Sequence, residues 1–371
     1  MADLPKGIIV PKNVTDALRT VKYPGSEEDI VSLEMPQEIR IAGQRVSFSL
    51  VFQKSNDPNI EAVVLESENA IKKYLGDHVE IEGNISVKYI HDMERPVLPN
   101  VKNIVAVASG KGGVGKSTVS VNLAVSLAKS GAKVGLLDAD IFGPSVPKMF
   151  GAENERPSGE KIEGREMINP LEKYGVKFLS VGFFVDADSA IIWRGSLASN
   201  ALKQLITDGN WGELDYLLID LPPGTSDIQL TLVQSVPVTG AVMVTTPQDV
   251  ALADVVRGTS MFQSKSIDVP ILGLIENMSW FTPAELPENK YYIFGKDGGK
   301  ILADKMGLTL LGQIPIVQSI REGGDNGTPV ALNEDSITGQ AFAELAKNVA
   351  HRTHLRNLKM APTKKVKVSR Q

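Results

Sequence analysis

The chain has 371 residues, of which 42% are hydrophobic and 22% charged, a composition typical of a globular protein with a sizeable core. Its formal net charge of −5 gives no general attraction to nucleic acid, so we expect no nucleic-acid partner. The sequence contains no cysteine, which excludes disulfides, thiolate nucleophiles and thiolate metal ligands from this chain.

Residues 1–90 are predicted to form a small α+β domain. They begin with charged residues and prolines rather than the apolar core of a secretory signal, and no apolar run of the chain reaches the roughly 20 residues that span a bilayer. We therefore expect a cytoplasmic protein with no membrane span. The predicted elements are helices at Val10–Val21 and Ile60–Leu75 and strands at Glu38–Ile41, Val46–Phe52 and Val79–Tyr89.

A proline-containing polar segment, residues 91–100, is predicted as a linker. Residues 101–358 then alternate short apolar runs with helical patterns, which predicts an α/β domain whose mostly parallel sheet is covered by helices on both faces. The strands are expected at Ile104–Ala108, Val134–Asp138, Val176–Val181, Tyr216–Asp220, Ala241–Thr245, Ile271–Ile275 and Thr309–Gln313. Helices are expected at Ser117–Ser130, Asp249–Ser264 with Asp249 as its N-cap, and Gln340–Leu358.

The basic tail, residues 359–371, carries five Lys or Arg residues and few apolar ones. It is predicted to be disordered, with binding of an anionic surface as the alternative.

A phosphate-binding loop is the most specific motif of the chain. The pattern G-x-x-x-x-G-K-[ST] lies after a predicted strand and before a predicted helix, the context that distinguishes it from an ordinary glycine-rich turn. Its backbone N–H groups would surround phosphate oxygens, Lys116 would reach the β- and γ-phosphates, and Ser117 would bind Mg²⁺. The predicted nucleotide-binding residues are Gly110, Lys111, Gly112, Gly113, Val114, Gly115, Lys116, Ser117 and Thr118.

Three aspartates follow predicted strands, at the edge where α/β sheets bind ligands. Asp138 and Asp140 end one strand and Asp220 ends another, so their carboxylates can orient an attacking water or hold Mg²⁺. We predict Asp138 and Asp220 at the metal and treat helix-capping aspartates as the alternative. Pro222, Pro223 and Gly224 are predicted to form a loop that senses hydrolysis, with a plain structural turn as the alternative.

Two further strand ends are predicted to contact the base of the nucleotide. Asn277 carries an amide that can both donate to and accept from adenine, and Pro315 ends the next strand. A buried asparagine capping a strand would give the same pattern. The expected ligands are therefore ATP and Mg²⁺ in a P-loop NTPase fold preceded by a small α+β domain.

The second lysine of the loop, Lys111, makes the motif resemble the deviant Walker A sequence of the nitrogenase-iron-protein and septum-placement class. That resemblance implies that Lys111 crosses the interface of a homodimer to the partner's nucleotide. The motifs D-A-D-I-F-G-P-S-V-P, D-L-P-P-G-T-S-D, E-N-M-S and G-Q-I-P resemble the Mrp/ApbC family of ATP-dependent iron–sulfur cluster carriers. The family resemblance implies catalytic roles for Lys111, Lys116 and Asp140, and iron–sulfur apoproteins or assembly factors as partners.

The chain departs from that family where iron would be bound. The family typically has C-x-x-C after E-N-M-S, and Pro283 and Leu286 occupy those positions here. The first 90 residues resemble an iron–sulfur-assembly domain, but its usual D-P-E reads Tyr23-Pro24-Gly25 and its frequent Cys-Pro reads Asp57-Pro58. No iron–sulfur ligand is identifiable, so the cluster is implied by resemblance only.

Two other functions remain compatible with the sequence. One is a spatial-organising or scaffolding ATPase of the same P-loop class, which binds a surface through the basic tail in its ATP state. The other is a non-hydrolysing interaction protein with Trp193, Trp280 and Phe281 as its partner surface, against which the intact Lys116, Asp140 and Asp220 argue.

Overall fold

A computed structural model describes residues 9–361 except 27, 53–56, 77, 82, 90–96, 142, 163, 185–194, 226, 265, 284 and 287. The chain divides into two compact units, Met1–Pro96 and Val97–Gln371. Most of the expected linker, most of the basic tail and Trp193 lie outside the described residues. Within the described residues, no helix combines the length and the apolar character needed to cross a membrane.

The N-terminal unit packs two helices on a three-stranded sheet. The central strand β2 pairs antiparallel with β1 and parallel with β3. Alternate apolar residues of β2 and the apolar faces of both helices form the core, with Val14, Leu18, Phe48, Leu50 and Ile71 buried. In chain order the elements are α1 (Pro11–Leu18), β1 (Pro36–Ala42), β2 (Arg45–Phe52), α2 (Ile60–Leu75) and β3 (Ile85–Tyr89).

The predicted closing strand of this unit is too long at its start. Strand β3 begins at Ile85 rather than at Val79, and Glu80 forms only an isolated bridge with Arg45. Gly83 has a φ of +70°, a left-handed conformation that a continuous β-strand does not contain. This glycine separates the short apolar run before it from the strand that follows.

The second unit is built around an eight-stranded sheet in the spatial order β13-β12-β11-β4-β10-β5-β9-β8. All neighbouring strands are parallel except the edge strand β8, which runs antiparallel to β9. An antiparallel hairpin, β6–β7, forms a separate two-stranded sheet. The strands are β4 (Val101–Ser109), β5 (Val134–Asp138), β6 (Ser158–Ile162), β7 (Arg165–Asn169), β8 (Leu171–Lys173), β9 (Val176–Ser180), β10 (Leu214–Asp220), β11 (Gly240–Thr245), β12 (Ile271–Glu276) and β13 (Leu310–Gln313).

Helices cover both faces of this sheet, as predicted. Val105 and Val107 of β4 belong to one buried core with the helices at 116–129 and 337–359, whereas Ile104 and Ala106 belong to a second core on the opposite face. The helices are α3 (Lys116–Lys129), α4 (Val146–Met149), α5 (Gly195–Thr207), α6 (Asp227–Ser235), α7 (Asp249–Phe262), α8 (Gly298–Met306), α9 (Gln318–Asp325) and α10 (Ile337–Lys359).

Helix α1 ends at Leu18 rather than at the predicted Val21, and the starts of α1 and α3 differ from the prediction by one residue. Two further differences concern α7 and α10. The N-cap of α7 is Gln248, which has extended backbone angles, so Asp249 is the first helical residue rather than the cap. Helix α10 begins at Ile337, three residues before the predicted Gln340, because the Ser336 hydroxyl accepts a 2.9 Å hydrogen bond from Gly339 N. Both helices remain in the predicted regions of the chain.

The parallel arrangement brings the predicted site residues to one edge. Strand β10 lies between β4 and β5, and in its register Asp220 pairs with Val107 on one side and Asp138 on the other. The phosphate-binding loop leaves β4 at the same edge. The topology therefore places Asp138, Asp220 and the loop side by side.

Candidate functional site

Glycines shape the loop between β4 and α3. Gly113 and Gly115 have φ values of +83° and +80°, which L side chains rarely adopt. A Cβ on Gly115 would lie 2.3 Å from Asn277 Nδ2, and one on Gly110 would lie 2.3 Å from the backbone carbonyl carbon of Asp254. At Gly110 and Gly115 the loop therefore has no room for a side chain.

A buried lysine lies at the centre of the site. Lys116 is 6% exposed, and its Nζ lies 2.9 Å from Asp220 Oδ1 and 3.8 Å from Asp140 Oδ2. A buried ammonium requires such compensation, because desolvation alone would strongly disfavour its charged form. The structure thus brings together Lys116, Asp140 and Asp220, three residues that the sequence predicted as parts of one site.

Asp220 is fully buried and is also held by hydroxyl groups. Ser117 Oγ donates to Asp220 Oδ2 and Ser120 Oγ donates to Asp220 Oδ1, both at 2.6 Å. Sequence reasoning missed Ser120. Its signal is the spacing, because residues three apart on a helix share a face and Ser120 therefore follows Ser117 on α3.

Asp138, at the end of β5, accepts hydrogen bonds from the segment that follows it and from the end of β9. Its Oδ1 accepts from Asp140 N at 3.2 Å, and its Oδ2 accepts from Val146 N at 3.2 Å and from Ser180 Oγ at 2.8 Å. Complete burial, reinforced by the charge of Asp220, raises the pKa of Asp138 to about 7. Its bond to the Asp140 backbone N favours a supporting role in orienting Asp140, and its predicted binding of a metal stays a prediction.

Asn277 connects the end of β12 to the phosphate-binding loop. Its Nδ2 donates to the Val114 carbonyl at 2.8 Å, and its backbone N donates to Thr245 O at 2.7 Å. With 6% of its surface exposed, Asn277 fixes the loop from behind. Its predicted contact with adenine stays a prediction.

Two adjoining cavities follow the loop. The smaller, of about 200 Å³, is lined by loop residues together with Asp140 and Pro223. The larger, of about 350 Å³, is lined by Asn277 and Pro315 among others, and both cavities are bounded by Gly115 and Thr118. A charged, glycine-lined compartment that opens into a more apolar one suits a phosphate chain joined to a nucleoside.

Comparison with known families gives this arrangement its context. A family profile described as NUBPL iron-transfer P-loop NTPase matches residues 100–350, and one described as iron-sulfur cluster assembly protein matches residues 11–82. The chain belongs to the iron-transfer P-loop NTPase family. The predicted family resemblance is confirmed, and the iron–sulfur-assembly resemblance of the N-terminal unit is confirmed with it.

Individual relatives agree with this assignment. The iron-sulfur cluster carrier protein of Synechocystis is 43% identical over 91% of this chain and 96% of its own length. The iron-sulfur cluster carrier protein of Haemophilus influenzae is 51% identical over 91% of this chain and 90% of its own length.

Solved structures confirm the P-loop NTPase fold. A nucleotide-binding protein from Archaeoglobus fulgidus in complex with ADP has a TM-score of 0.54 and 37% identity, covering 62% of this chain and 88% of its own. The septum site-determining protein MinD from Pyrococcus horikoshii, complexed with Mg-ADP, has a TM-score of 0.50 and 25% identity, covering 70% of this chain and 99% of its own.

The segment from 277 to 297 is the part of this family member that departs most from the expected motifs. Both of its ends are fastened by Glu276, which is fully buried. Glu276 Oε2 accepts from Gly299 N at 2.5 Å, and Gln313 Nε2 donates to Glu276 Oε1 at 2.8 Å and to Asp297 Oδ1 at 3.1 Å. These bonds close the base of the loop, hereafter the 277–297 loop.

The body of the 277–297 loop is ordered by aromatic residues. Phe281 and Tyr291 exchange backbone hydrogen bonds of 2.8 and 2.9 Å, and Lys290 Nζ lies 3.9 Å from the centre of the Trp280 ring. Leu286, at one of the positions where thiolates were expected, is 49% exposed. The packing and hydrogen bonds of the loop thus lie at Trp280, Phe281, Lys290 and Tyr291, on either side of the positions where the family motif has metal ligands.

The two departures in the N-terminal unit contact each other. The Tyr23 hydroxyl donates a short hydrogen bond to Asp57 Oδ2, and Asn59 Nδ2 donates to Tyr23 Oη at 3.3 Å. The bond to Asp57 raises the pKa of Tyr23, because the phenol proton is shared with a carboxylate. The positions that read D-P-E and Cys-Pro in the family pattern are thus linked here by a phenol–carboxylate pair.

Proposed function

We propose that this chain is an ATP-binding and ATP-hydrolysing homodimeric carrier that helps transfer iron–sulfur clusters to apoproteins. The observation that carries the ATPase part is the convergence of Lys116, Ser117, Asp140 and Asp220 beside the glycine-lined cavity. The relatives named iron-sulfur cluster carrier proteins support the cargo. Iron–sulfur chemistry fits a reducing compartment, so we place the protein in the cytoplasm.

The donor set at the phosphate end suits Mg²⁺. The Ser117 hydroxyl and the Asp220 carboxylate are hard oxygen donors whose atoms lie 2.6 Å apart. Among the described residues, no group of three or more His, Cys, Asp or Glu side chains could hold a metal alone, and Mg²⁺ normally completes its shell with substrate phosphates and water. We therefore assign the ion to Ser117 and Asp220, with Asp138 supporting. When bound, it neutralises charge on the phosphates.

Hydrolysis requires a group that orients water toward the γ-phosphate. Asp140 lines the smaller cavity, and its carboxylate lies 3.8 Å from the ammonium that is expected at the β- and γ-phosphates. Asp138 holds the backbone of Asp140 in place. We assign Asp140 to the attacking water and Lys116 to the charge that develops on the phosphoryl oxygens.

Lys111 is the residue that would connect hydrolysis to a second subunit. It lines the smaller cavity and forms no ion pair with any residue that the structure describes. A cation brought to the partner's γ-phosphate would stabilise the transition state only when two subunits face each other. ATP binding and dimer formation would then be linked.

The cluster is cargo, and its ligands must be shared with other molecules. This chain has no cysteine, and neither Pro283 nor Leu286 can bind iron. We propose that iron–sulfur apoproteins or assembly factors supply the thiolates while this ATPase controls their docking. The N-terminal unit, which matches the iron-sulfur cluster assembly family, is the proposed place for such a partner.

The ATPase part is tested with Lys111→Ala. We expect the variant to bind MgATP within about threefold of wild type and to lose at least about 100-fold in turnover, together with ATP-dependent dimerisation in light scattering. Lys102→Ala, which removes an exposed lysine paired with Asp215, is the matched control. Normal turnover by Lys111→Ala would remove the trans-acting lysine from the proposal.

The cargo part needs a separate experiment. Anaerobic incubation of the chain alone with ferrous iron and sulfide should yield no visible cluster absorbance, because no thiolate is present. With a preformed cluster on a cysteine-containing donor, MgATP and wild-type protein should speed transfer to an apoprotein, and Lys111→Ala should not. Equal transfer rates with and without the wild-type chain would reject the carrier function and leave the ATPase.

A further inference from the structure

The loop after β10 lies against the phosphate-binding loop and is short of hydrogen-bond donors. Leu221 N donates to Val107 O and Gly224 N donates to Ser109 O, each at 3.0 Å. Between these anchors, Pro222 and Pro223 have no N–H. The nearest atom to a Cβ built on Gly112 is Pro223 Cγ, at 3.9 Å, and Pro223 lines the same cavity as the phosphate-binding loop, so the two loops are neighbours.

Helix α6 reaches this loop through one side chain. Gln229 is fully buried, and its Nε2 donates to the Pro222 carbonyl at 3.3 Å. Because that partner is an acceptor, the amide group must present its NH₂ side to it. The orientation of the carboxamide is therefore determined, and its oxygen points elsewhere.

That oxygen lacks a partner among the residues that the structure describes. Gln229 Oε1 is buried and accepts no hydrogen bond from any residue that the structure describes. A buried acceptor without a donor is costly, so a conformation that supplies one is favoured. In residues 221–225 the prolines cannot donate, and Leu221 N and Gly224 N are both bound to β4, which leaves the N–H group of Thr225.

We propose that Gln229 is a positioning residue that selects the triphosphate-bound conformation of the 221–225 loop. In that conformation its Oε1 accepts the N–H of Thr225, while its Nε2 keeps the Pro222 carbonyl. The bond exists in one nucleotide state only, so it raises affinity for ATP relative to ADP and transmits the difference to α6. The inference rests on the proposed ATPase function and adds the residue that distinguishes bound ATP from bound ADP.

The test compares two methionine variants of one helix. Gln229→Met keeps the length of the side chain and removes both hydrogen-bonding atoms. Gln234→Met makes the same change on α6 at a half-buried residue whose side chain forms no hydrogen bond within the described part of the chain. Affinities for MgADP and for a non-hydrolysable MgATP analogue are measured by calorimetry, kcat and KM by phosphate release, and folding by thermal unfolding.

For Gln229→Met we expect MgADP affinity within about twofold of wild type, analogue affinity reduced by about tenfold and kcat reduced by about tenfold, since one buried hydrogen bond is lost in one state. Gln234→Met should match wild type in both affinities, in kcat and KM, and in thermal unfolding. An equal loss of affinity for MgADP and for the analogue would show that Gln229 has a merely structural role. Unchanged affinities would show that it has no role in nucleotide binding. Either result overturns the proposal.

Hydrogen exchange on the wild-type protein keeps the proposal testable if Gln229→Met does not fold. The amide of Thr225 should exchange at least about tenfold more slowly with the MgATP analogue than with MgADP. Equal exchange in the two states contradicts the proposal. Wild-type protein that hydrolyses ATP but shows equal exchange refutes Gln229 alone, whereas wild-type protein that binds neither nucleotide refutes the proposed function as well.

Discussion

The phosphate-binding end and the 277–297 loop both begin at carboxyl ends of strands in one sheet, but different forces hold them. At the phosphate end, Lys116 and Asp220 are buried charges that compensate each other. In the 277–297 loop, Glu276 accepts uncharged hydrogen-bond donors and the body is ordered by Trp280 and its neighbours. Asn277 connects the two regions, because it begins the loop and donates to the phosphate-binding loop.

The difference shows which part of the family chemistry this chain has kept. Nucleotide chemistry depends on a few charges at fixed positions, and each of them is present. Iron–sulfur binding depends on thiolates, and the sequence contains no cysteine to supply them. We therefore expect substitutions in the two regions to have separable effects.

The largest effect is expected from Lys116→Ala at the phosphate end. Removing the ammonium deletes a charge-assisted contact to phosphate and leaves the buried Asp220 without its cation, so MgATP affinity should fall by about 100-fold or more. Calorimetric titration measures it. Lys129→Ala on the same helix, an exposed lysine paired with Glu334, should bind normally. Retained binding by Lys116→Ala would contradict the charge-based account of this region.

Asp140→Ala should separate binding from hydrolysis within the same region. We expect MgATP affinity within a few-fold of wild type and turnover reduced by about 100-fold, the usual contribution of a positioned base, with the ATP-bound dimer accumulating. Phosphate release and light scattering measure the two effects. The exposed Asp304→Ala is the control. Undiminished turnover would reduce Asp140 to a structural cap.

Asp138→Asn should change the pH dependence of stability. Burial raises the pKa of Asp138 to about 7 from its ordinary 3.8, so between these values the folded state holds a proton that the unfolded chain has released. This group therefore makes the free energy of unfolding fall as pH rises from about 4 to about 7, by up to about 1.4 kcal/mol per pH unit. Above pH 7 its contribution is constant.

The free energy of unfolding is measured by denaturant unfolding without nucleotide or magnesium at several pH values between 4.5 and 8. Plotted against pH, it should fall less steeply for Asp138→Asn than for wild type. A loss of stability that does not depend on pH, such as that from a lost hydrogen bond, shifts the whole curve and leaves its slope against pH unchanged. Asp215→Asn is the sign control, because a hydrogen bond from Lys102 lowers the pKa of Asp215 and confines its contribution to more acidic solution. If the free energy of unfolding changed equally with pH in wild type and Asp138→Asn, the raised pKa of Asp138 would be rejected.

Local patterns explain what could be predicted from the sequence. The phosphate-binding loop, its strand and its helix form one continuous segment, and the spacing of its glycines and lysines predicts a phosphate-binding loop directly. The three aspartates were found because each follows an apolar run. The β6–β7 hairpin was missed, since its sequence S-G-E-K-I-E-G-R-E-M-I-N is mostly polar and lacks the alternation of a half-buried strand.

Long-range contacts explain what was missed in the site. Ser180 and Gln229 are ordinary residues in the sequence, and their partners Asp138 and Pro222 are identified only by the fold. The bond between Tyr23 and Asp57 joins residues 34 apart. Side-chain identity shows which chemistry is available, whereas the pairing of strands and helices determines where it is used.

Lys290→Met should give the smallest effect of these substitutions. It should change the stability of the 277–297 loop without changing nucleotide binding or turnover. The substitution removes the cation over the Trp280 ring but keeps an unbranched apolar side chain, so the free energy of unfolding should fall by about 0.5–1 kcal/mol. ATP affinity and turnover should stay at wild-type values, because the bond from Asn277 to Val114 is untouched. Lys296→Met, over Tyr292 at 5.1 Å, should cost less because the cation lies farther from its ring. A parallel loss of ATPase activity in Lys290→Met would show that packing in the 277–297 loop reaches the phosphates through Asn277, and the two regions would then be one functional unit.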